Sequence, residues 1–101
     1  MKIAIIGGGA SGLACAIEAM DTAKKRKINI SVTVFEKNDR VGKKILATGN
    51  GRCNITNTDC DKKFYISSRD FASFALSKYS ARSNISFFEK LGIFTRTVEE
   101  G

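Results

Sequence analysis

Three glycines and one acid carry the clearest chemistry in the 101-residue chain. Gly7, Gly9 and Gly12 fall in the pattern G-x-G-x-x-G, with Ala10 and Ser11 filling the last gap. Such a loop holds an anion without using a cation. Gly7 permits a tight strand-to-helix turn, Gly9 lets a pyrophosphate approach bare backbone, and Gly12 lets the following helix pack closely on the strand. The N–H groups of the helix's first turn, those of Ala10, Ser11 and Gly12 among them, then face the phosphates with the positive end of the helix dipole behind them. Glu36 stands roughly twenty residues past the last glycine, where an acid grips the two hydroxyls of a ribose.

These residues need a strand, a helix and a second strand to hold them, and the sequence supplies all three. Ile3 to Ile6 is a short apolar run that predicts a strand buried on both faces of a parallel sheet. Leu13, Ala16, Ile17 and Met20 recur at helical spacing and predict a helix from about Ala10 to about Lys25. Ile28, Ile30, Val32 and Val34 alternate, so a second strand runs from Ile30 to Phe35 and ends on Glu36, with Lys37 beside it. A βαβ unit without a nucleotide would use its glycines for the turn alone. The order strand, glycines, helix, strand, acid favours dinucleotide binding. Glu36 serves the ribose of FAD or of NAD equally, and it would repel a 2′-phosphate, an objection that Lys37 weakens.

A second glycine-rich stretch, VGKKILATGNGRCNITN, covers 41–57. Gly49-Asn50-Gly51 invites positive φ, so one reading is a hairpin with a tight Asn-Gly turn. The other is a second cofactor loop. Lys43, Lys44 and Arg52 supply cations, and Thr48, Asn50 and Asn54 supply side-chain hydrogen bonds. Together with GGGASG at 7–12 and FEK at 35–37, the run GKKILATGNGRCNITN resembles the YhiN/BaiN-type flavoproteins, also described as aminoacetone-oxidase-like, NAD(P)/FAD-dependent oxidoreductases. The resemblance extends through the FFEKLGIFTRTVEEG ending and covers the N-terminal part of that family's fold. It implies an FAD-binding Rossmann-like domain, α/β with a parallel sheet and incomplete in this chain, completed by later segments and interrupted by a substrate domain. On that resemblance Gly7, Gly9 and Gly12 take the pyrophosphate, Glu36 takes the adenosine ribose, and Gly49 to Asn54 lie along the cofactor toward the flavin. Cys53, between Arg52 and Asn54, packs beside it. The dinucleotide-binding βαβ and second loop would occupy 1–60, and a helical segment with the start of a further strand 61–101. The stretch AMDTAKKRKINISV between helix and strand is longer and more basic than the family leads one to expect.

Composition narrows the function classes. Seventeen Lys and Arg stand against ten Asp and Glu, and there is no His. The commonest general acid–base and a major metal ligand are therefore missing from these residues. The densest charge run, Lys24-Lys25-Arg26-Lys27, reads as a solvated helix end rather than a nucleic-acid patch, since no aromatic or repeated basic spacing accompanies it. Cys15 reads as a small buried hydrophobe among Leu13, Ala14, Ala16 and Ile17. Cys53 and Cys60 do not make C-x-x-C, so no metal is expected. Three cysteines and no leader-like or membrane-length apolar run point to a cytoplasmic setting.

After Cys60, Asp70 is a good N-cap for a helix with Phe71, Phe74, Ala75 and Lys78. Ser83 or Asn84 opens a second helix with Ile85, Phe88 and Leu91, which Gly92 stops. Ile93 to Val98 reads as a strand. The phenylalanines read as core, or as surface for further segments, rather than a stacking platform for bases. The expected whole is an FAD-dependent oxidoreductase acting on a small-molecule substrate, with NAD(P)H one candidate donor and no catalytic acid or base among these residues. The 101 residues alone are expected to hold FAD weakly and to self-associate.

Overall fold

The computed structural model describes residues 1–48, 52–66 and 70–98. They form two compact units, Met1–Asn54 and Ile55–Gly101.

The first unit is a parallel βαβ. Strand β1 (Lys2–Ile6) leads through the glycine loop into helix α1 (Ala10–Arg26) and on to strand β2 (Ser31–Phe35). The strands pair in parallel with Ile3 opposite Val32, Ile5 opposite Val34 and Ile6 opposite Phe35. The chain is therefore α/β with a parallel sheet, as its sequence predicts. The expectation of strands buried on both faces is corrected. Ile3, Ile5, Val32 and Val34 are half-buried and alternate with exposed neighbours, and Ile6 and Phe35 are 83% and 55% exposed. Helix α1 packs on both strands. Because alternate side chains of a strand point to opposite faces, a helix on one side shelters only every second residue.

The same geometry corrects two readings of α1. Its sheltered stripe runs through Leu13, Ala16, Ile17, Ala19 and Ala23, the last of them the one buried apolar side chain among the described residues. Cys15 is exposed, because it stands two residues from both Leu13 and Ile17 and so about 200° around the helix from each. Met20 lies at the stripe's margin and is 50% exposed. The helix ends on Lys27, whose φ of 55° is left-handed and whose N–H donates to Ala23 and Lys24 carbonyls, with Ile28 N–H reaching Ala23 O at 2.9 Å. Lys24, Lys25 and Arg26 occupy the last turn, where cations suit the negative end of the dipole.

Beyond β2 a short helix, α2 (Lys43–Ala47), stands where the sequence suggests only irregular chain. The Asn-Gly turn expected at 49–51 lies outside the described residues.

The described residues of the second unit are helical, with a 3₁₀ turn at Lys62–Phe64, then α3 (Ser73–Lys78) and α4 (Ala81–Lys90). Asp70 does not cap α3 as expected. It sits at φ 64°, and its carboxylate accepts from Ser73 Oγ at 3.1 Å, while Ala72 occupies the cap. Helix α4 starts earlier than the sequence suggests. Ser80 caps it by accepting from Ser83 N–H at 3.2 Å, which makes Ser83 the third helical residue rather than the opener. The expected stop holds: Gly92 has φ 86°, and its N–H donates to Glu89 O at 2.9 Å. Ile93–Val98 forms no strand, because a strand exists only in a ladder and the described residues of this unit hold no partner for it. The phenylalanines are mostly surface rather than core. Phe64, Phe71, Phe74 and Phe94 are exposed, whereas Phe87 and Phe88 are half-buried and meet edge to face at 5.2 Å.

Candidate nucleotide-binding site

The site is built at the end of β1 and β2 where the chain leaves the sheet for α1. Gly7 turns there with φ 100°, a value that L side chains avoid, and its N–H donates to Phe35 O at 2.8 Å, extending the ladder one step beyond Ile6. Gly12 lies in the first turn of α1 against that bend. A Cβ on it would overlap Gly7 O and come within 3.0 Å of Gly7 C, so only glycine lets the helix lie this close to the strand. Gly9 is the N-cap of α1 in extended backbone, with nothing within 4 Å of where its Cβ would stand.

Among the described residues, none therefore claims the entrance to α1. No side chain caps the helix, and its first turn carries no acid. The N–H groups of Ala10, Ser11 and Gly12 have no carbonyl four residues back in the helix to accept them. Ala10 and Ser11 are exposed and Gly12 is half-buried. An anion placed here meets backbone donors and the positive end of a 17-residue helix.

Glu36 stands beside this entrance, held there by its own hydrogen bonds. Its Oε2 accepts from Gly8 N–H at 2.8 Å, and its Oε1 accepts from Asn38 N–H at 3.0 Å and Asn38 Nδ2 at 3.1 Å. The backbone N–H groups of Asn38 and then Gly8 favour the carboxylate over the acid and hold the Glu36 carboxyl below the ordinary glutamate range, against a smaller opposing effect of burial. The acid is thus ionised and already tethered to the glycine loop.

Gly8 takes part although the G-x-G-x-x-G spacing does not mark it. It is buried, its N–H is taken by Glu36, and its carbonyl accepts from Gly42 N–H at 2.7 Å. A Cβ on Gly8 would come within 2.6 Å of Val41 Cγ1 and 3.1 Å of Glu36 Oε2. Gly42, with φ 68°, caps α2 and accepts from Leu46 N–H at 3.1 Å. A triplet G-G-G shows only the two motif glycines, and no spacing rule points from Gly8 to Val41.

The remaining predicted residues are spread out. Lys37 is exposed next to Glu36, and Lys44 is exposed on α2. Lys43, at the start of α2, pairs with Asp39 at 3.3 Å, both side chains exposed. The Thr48 hydroxyl donates to Ile45 O at 3.0 Å and closes α2. Arg52, Cys53 and Asn54 are exposed, and Gly49, Asn50 and Gly51 lie outside the described residues. In the second unit, Cys60 Sγ lies 3.4 Å from the Tyr65 hydroxyl, a contact that pushes the phenol's pKa up. Among the described residues no three His, Cys, Asp or Glu lie together as metal ligands, and no helix is long and apolar enough to cross a membrane.

Comparison with known proteins meets the site at this point. The chain is 41% identical over 97 residues to a 3-dehydro-bile acid delta(4,6)-reductase of Clostridium scindens, an alignment covering 95% of this chain and 23% of that protein. It is 39% identical over 98 residues to a ribosomal RNA dihydrouridine synthase of Haemophilus influenzae, covering 96% and 23%. A ribosomal RNA dihydrouridine synthase of Escherichia coli is 32% identical over 90 residues, covering 88% and 21%. The chain thus spans about a quarter of the length of these curated relatives. No solved structure matches it. Matched over residues 1–101 by the HI0933-like protein Rossmann domain, the chain belongs to that family, the YhiN/BaiN-type flavoproteins that its glycine loop and its GKKILATGNGRCNITN stretch resemble.

Proposed function

We propose that this chain holds the ADP half of FAD in a flavoprotein oxidoreductase. The observation that carries the reading is the uncapped N-terminus of α1, with an ionised acid tethered next to it through Gly8. The diphosphate would lie on the N–H groups of Ala10, Ser11 and Gly12, over the bare backbone of Gly9. The ribose would donate to Glu36. The cradle fits that group, since the position a Cβ of Gly9 would fill is open and the loop offers donors rather than charge.

Bound flavin would supply the electron chemistry, taking up a hydride from a donor such as NAD(P)H and passing it to an organic substrate. The chain's own residues bind and orient. The stretch Gly49 to Asn54, with Arg52 and Cys53, would continue along the cofactor from the end of α2. One relative is named for a bile acid and another for ribosomal RNA, so the relatives' names fix no substrate for this chain.

The test is to add FAD to the full-length protein, remove free cofactor by gel filtration and record the visible spectrum. A stoichiometric oxidised-flavin band that ADP competes away supports the reading. Tight NAD binding with no retained flavin would replace FAD by NAD at the same loop.

A further inference from the structure

The glycine loop and α2 come from separate motifs, and one residue joins them. Gly8 donates its N–H to Glu36 Oε2 at 2.8 Å and accepts Gly42 N–H on its carbonyl at 2.7 Å. Both backbone polar groups of this buried residue are thus committed, one to the end of β2 and one to the start of α2. Space is committed as well. The side of Gly8 where a Cβ would stand is closed by Val41 Cγ1 at 2.6 Å and Val41 Cβ at 3.1 Å. Val41 Cβ has to give by only a few tenths of an ångström, but Cγ1 must move outright, so an added methyl presses chiefly through Cγ1 on the Val41–Gly42 segment. Gly42 in turn starts α2 by accepting from Leu46 N–H. A displaced Gly42 therefore carries the first turn of α2 with it.

We propose that Gly8 is the joint that positions α2 on the phosphate loop, so that nucleotide binding at the N-terminus of α1 and the placement of Lys43–Ala47 are coupled. Gly8, Val41 and Gly42 act as positioning residues: they touch the loop and not the ligand. A ligand that settles on the loop and on Glu36 holds the Gly8 peptide still and thereby steadies the strap at Val41–Gly42. The ligand arm of this inference rests on the nucleotide reading, and the ligand-free arm does not.

The experiment uses the full-length protein as wild type, Gly8→Ala and the double variant Gly8→Ala with Val41→Ala, which deletes the nearer clashing atom. Amide hydrogen exchange is read at Gly42 and Leu46, with the ladder amides of β1 and β2 as internal reference, and ADP affinity is read by calorimetry. Gly8→Ala should speed exchange at Gly42 and Leu46 and weaken ADP by about tenfold, the size of one lost hydrogen bond. The double variant should recover most of both. In the wild type, ADP should slow exchange at Gly42. Wild-type exchange at Gly42 and Leu46 in a folded Gly8→Ala protein would overturn the joint, and so would a double variant no better than the single one. If wild type binds no ADP at all, the nucleotide reading and the coupling to it fail, while the exchange comparison still decides whether Gly8 positions α2.

Discussion

Replacing Gly12 with alanine tests whether the close approach of α1 to β1 is a real constraint. The added Cβ would overlap Gly7 O and stand 3.0 Å from Gly7 C, with Ile5 Cγ2 at 3.5 Å. The first two are backbone atoms of the turn and cannot swing aside, so the helix has to retreat by on the order of 1 Å from a tightly packed contact. Overpacking of this kind costs about 1–3 kcal/mol, and backbone overlap puts Gly12 at the upper end. Alanine returns up to about 1 kcal/mol in helix propensity. The net loss is about 2 kcal/mol, roughly a thirtyfold shift in the equilibrium that docks α1 on the sheet. Hydrogen exchange on the full-length protein reads this locally. Amides in the middle of α1, such as those of Ile17 and Ala23, should exchange up to about thirtyfold faster, while those of α4, in the other unit, should not change. Unchanged protection across α1 in a folded Gly12→Ala protein would show that the packing argument is wrong.

Gly9→Ala should separate ligand from fold: nothing lies within 4 Å of the new Cβ and the backbone there is extended, so α1 should keep its protection while FAD or ADP affinity falls measurably in a titration. Glu36→Ala should weaken ADP or FAD binding about ten- to a hundredfold, the worth of one hydrogen bond to a charged group, and unchanged affinity with an intact fold would remove the ribose assignment. The hold of Glu36 on Gly8 should also depend on pH in a defined direction. Its folded carboxyl titrates below its unfolded value, so its contribution is complete at neutral pH and is lost as pH falls through and below the ordinary glutamate range, visible as faster opening at Gly8 in an acid series. Cys53→Ser should leave reduction of bound flavin intact, since Cys60 lacks the short spacing of a redox pair and lies against Tyr65; lost turnover with flavin still bound would refute this.

What the sequence discloses follows the range of the forces involved. The βαβ order, both strands and the span of α1 are written in local periodicity, and the strain at Gly7 and the crowding at Gly12 follow from a known spacing. Burial was less legible, because it depends on what lies across the sheet. Ile3 to Ile6 looks fully buried as a run of letters, yet one helix shelters only Ile3 and Ile5. Helix α2 escaped notice because five residues with Gly42 before them show too little period to separate helix from loop. The cap of α4 stands a few residues from its expected place because several hydroxyls compete: Ser80 and Ser83 both suit an N-cap, and only geometry decides which accepts and which donates. The role of Gly8 could not be read at all, since its partners Glu36 and Val41 meet it only after the chain has folded back past α1.

The hydrogen bonds of Glu36 set a limit on what it can do for a ribose. An ionised carboxylate offers about four acceptor positions. Asn38 occupies both on Oε1 with its N–H and its side-chain amide, and Gly8 occupies one on Oε2. One position on Oε2 is left. Glu36 can therefore accept from one ribose hydroxyl without giving anything up, and a grip on both hydroxyls would require the Asn38 amide to let go. One strong acceptor accounts for the tenfold to hundredfold effect expected of Glu36→Ala, where a two-pronged grip would predict more. The same accounting bears on cofactor choice. The N–H groups of Asn38 and Gly8 favour the charged carboxylate, so on the proposed reading a phosphate on that ribose would meet a negative group held in place. Lys37, exposed alongside, would weaken that repulsion, and on the proposed reading an unphosphorylated ribose would suit the site better.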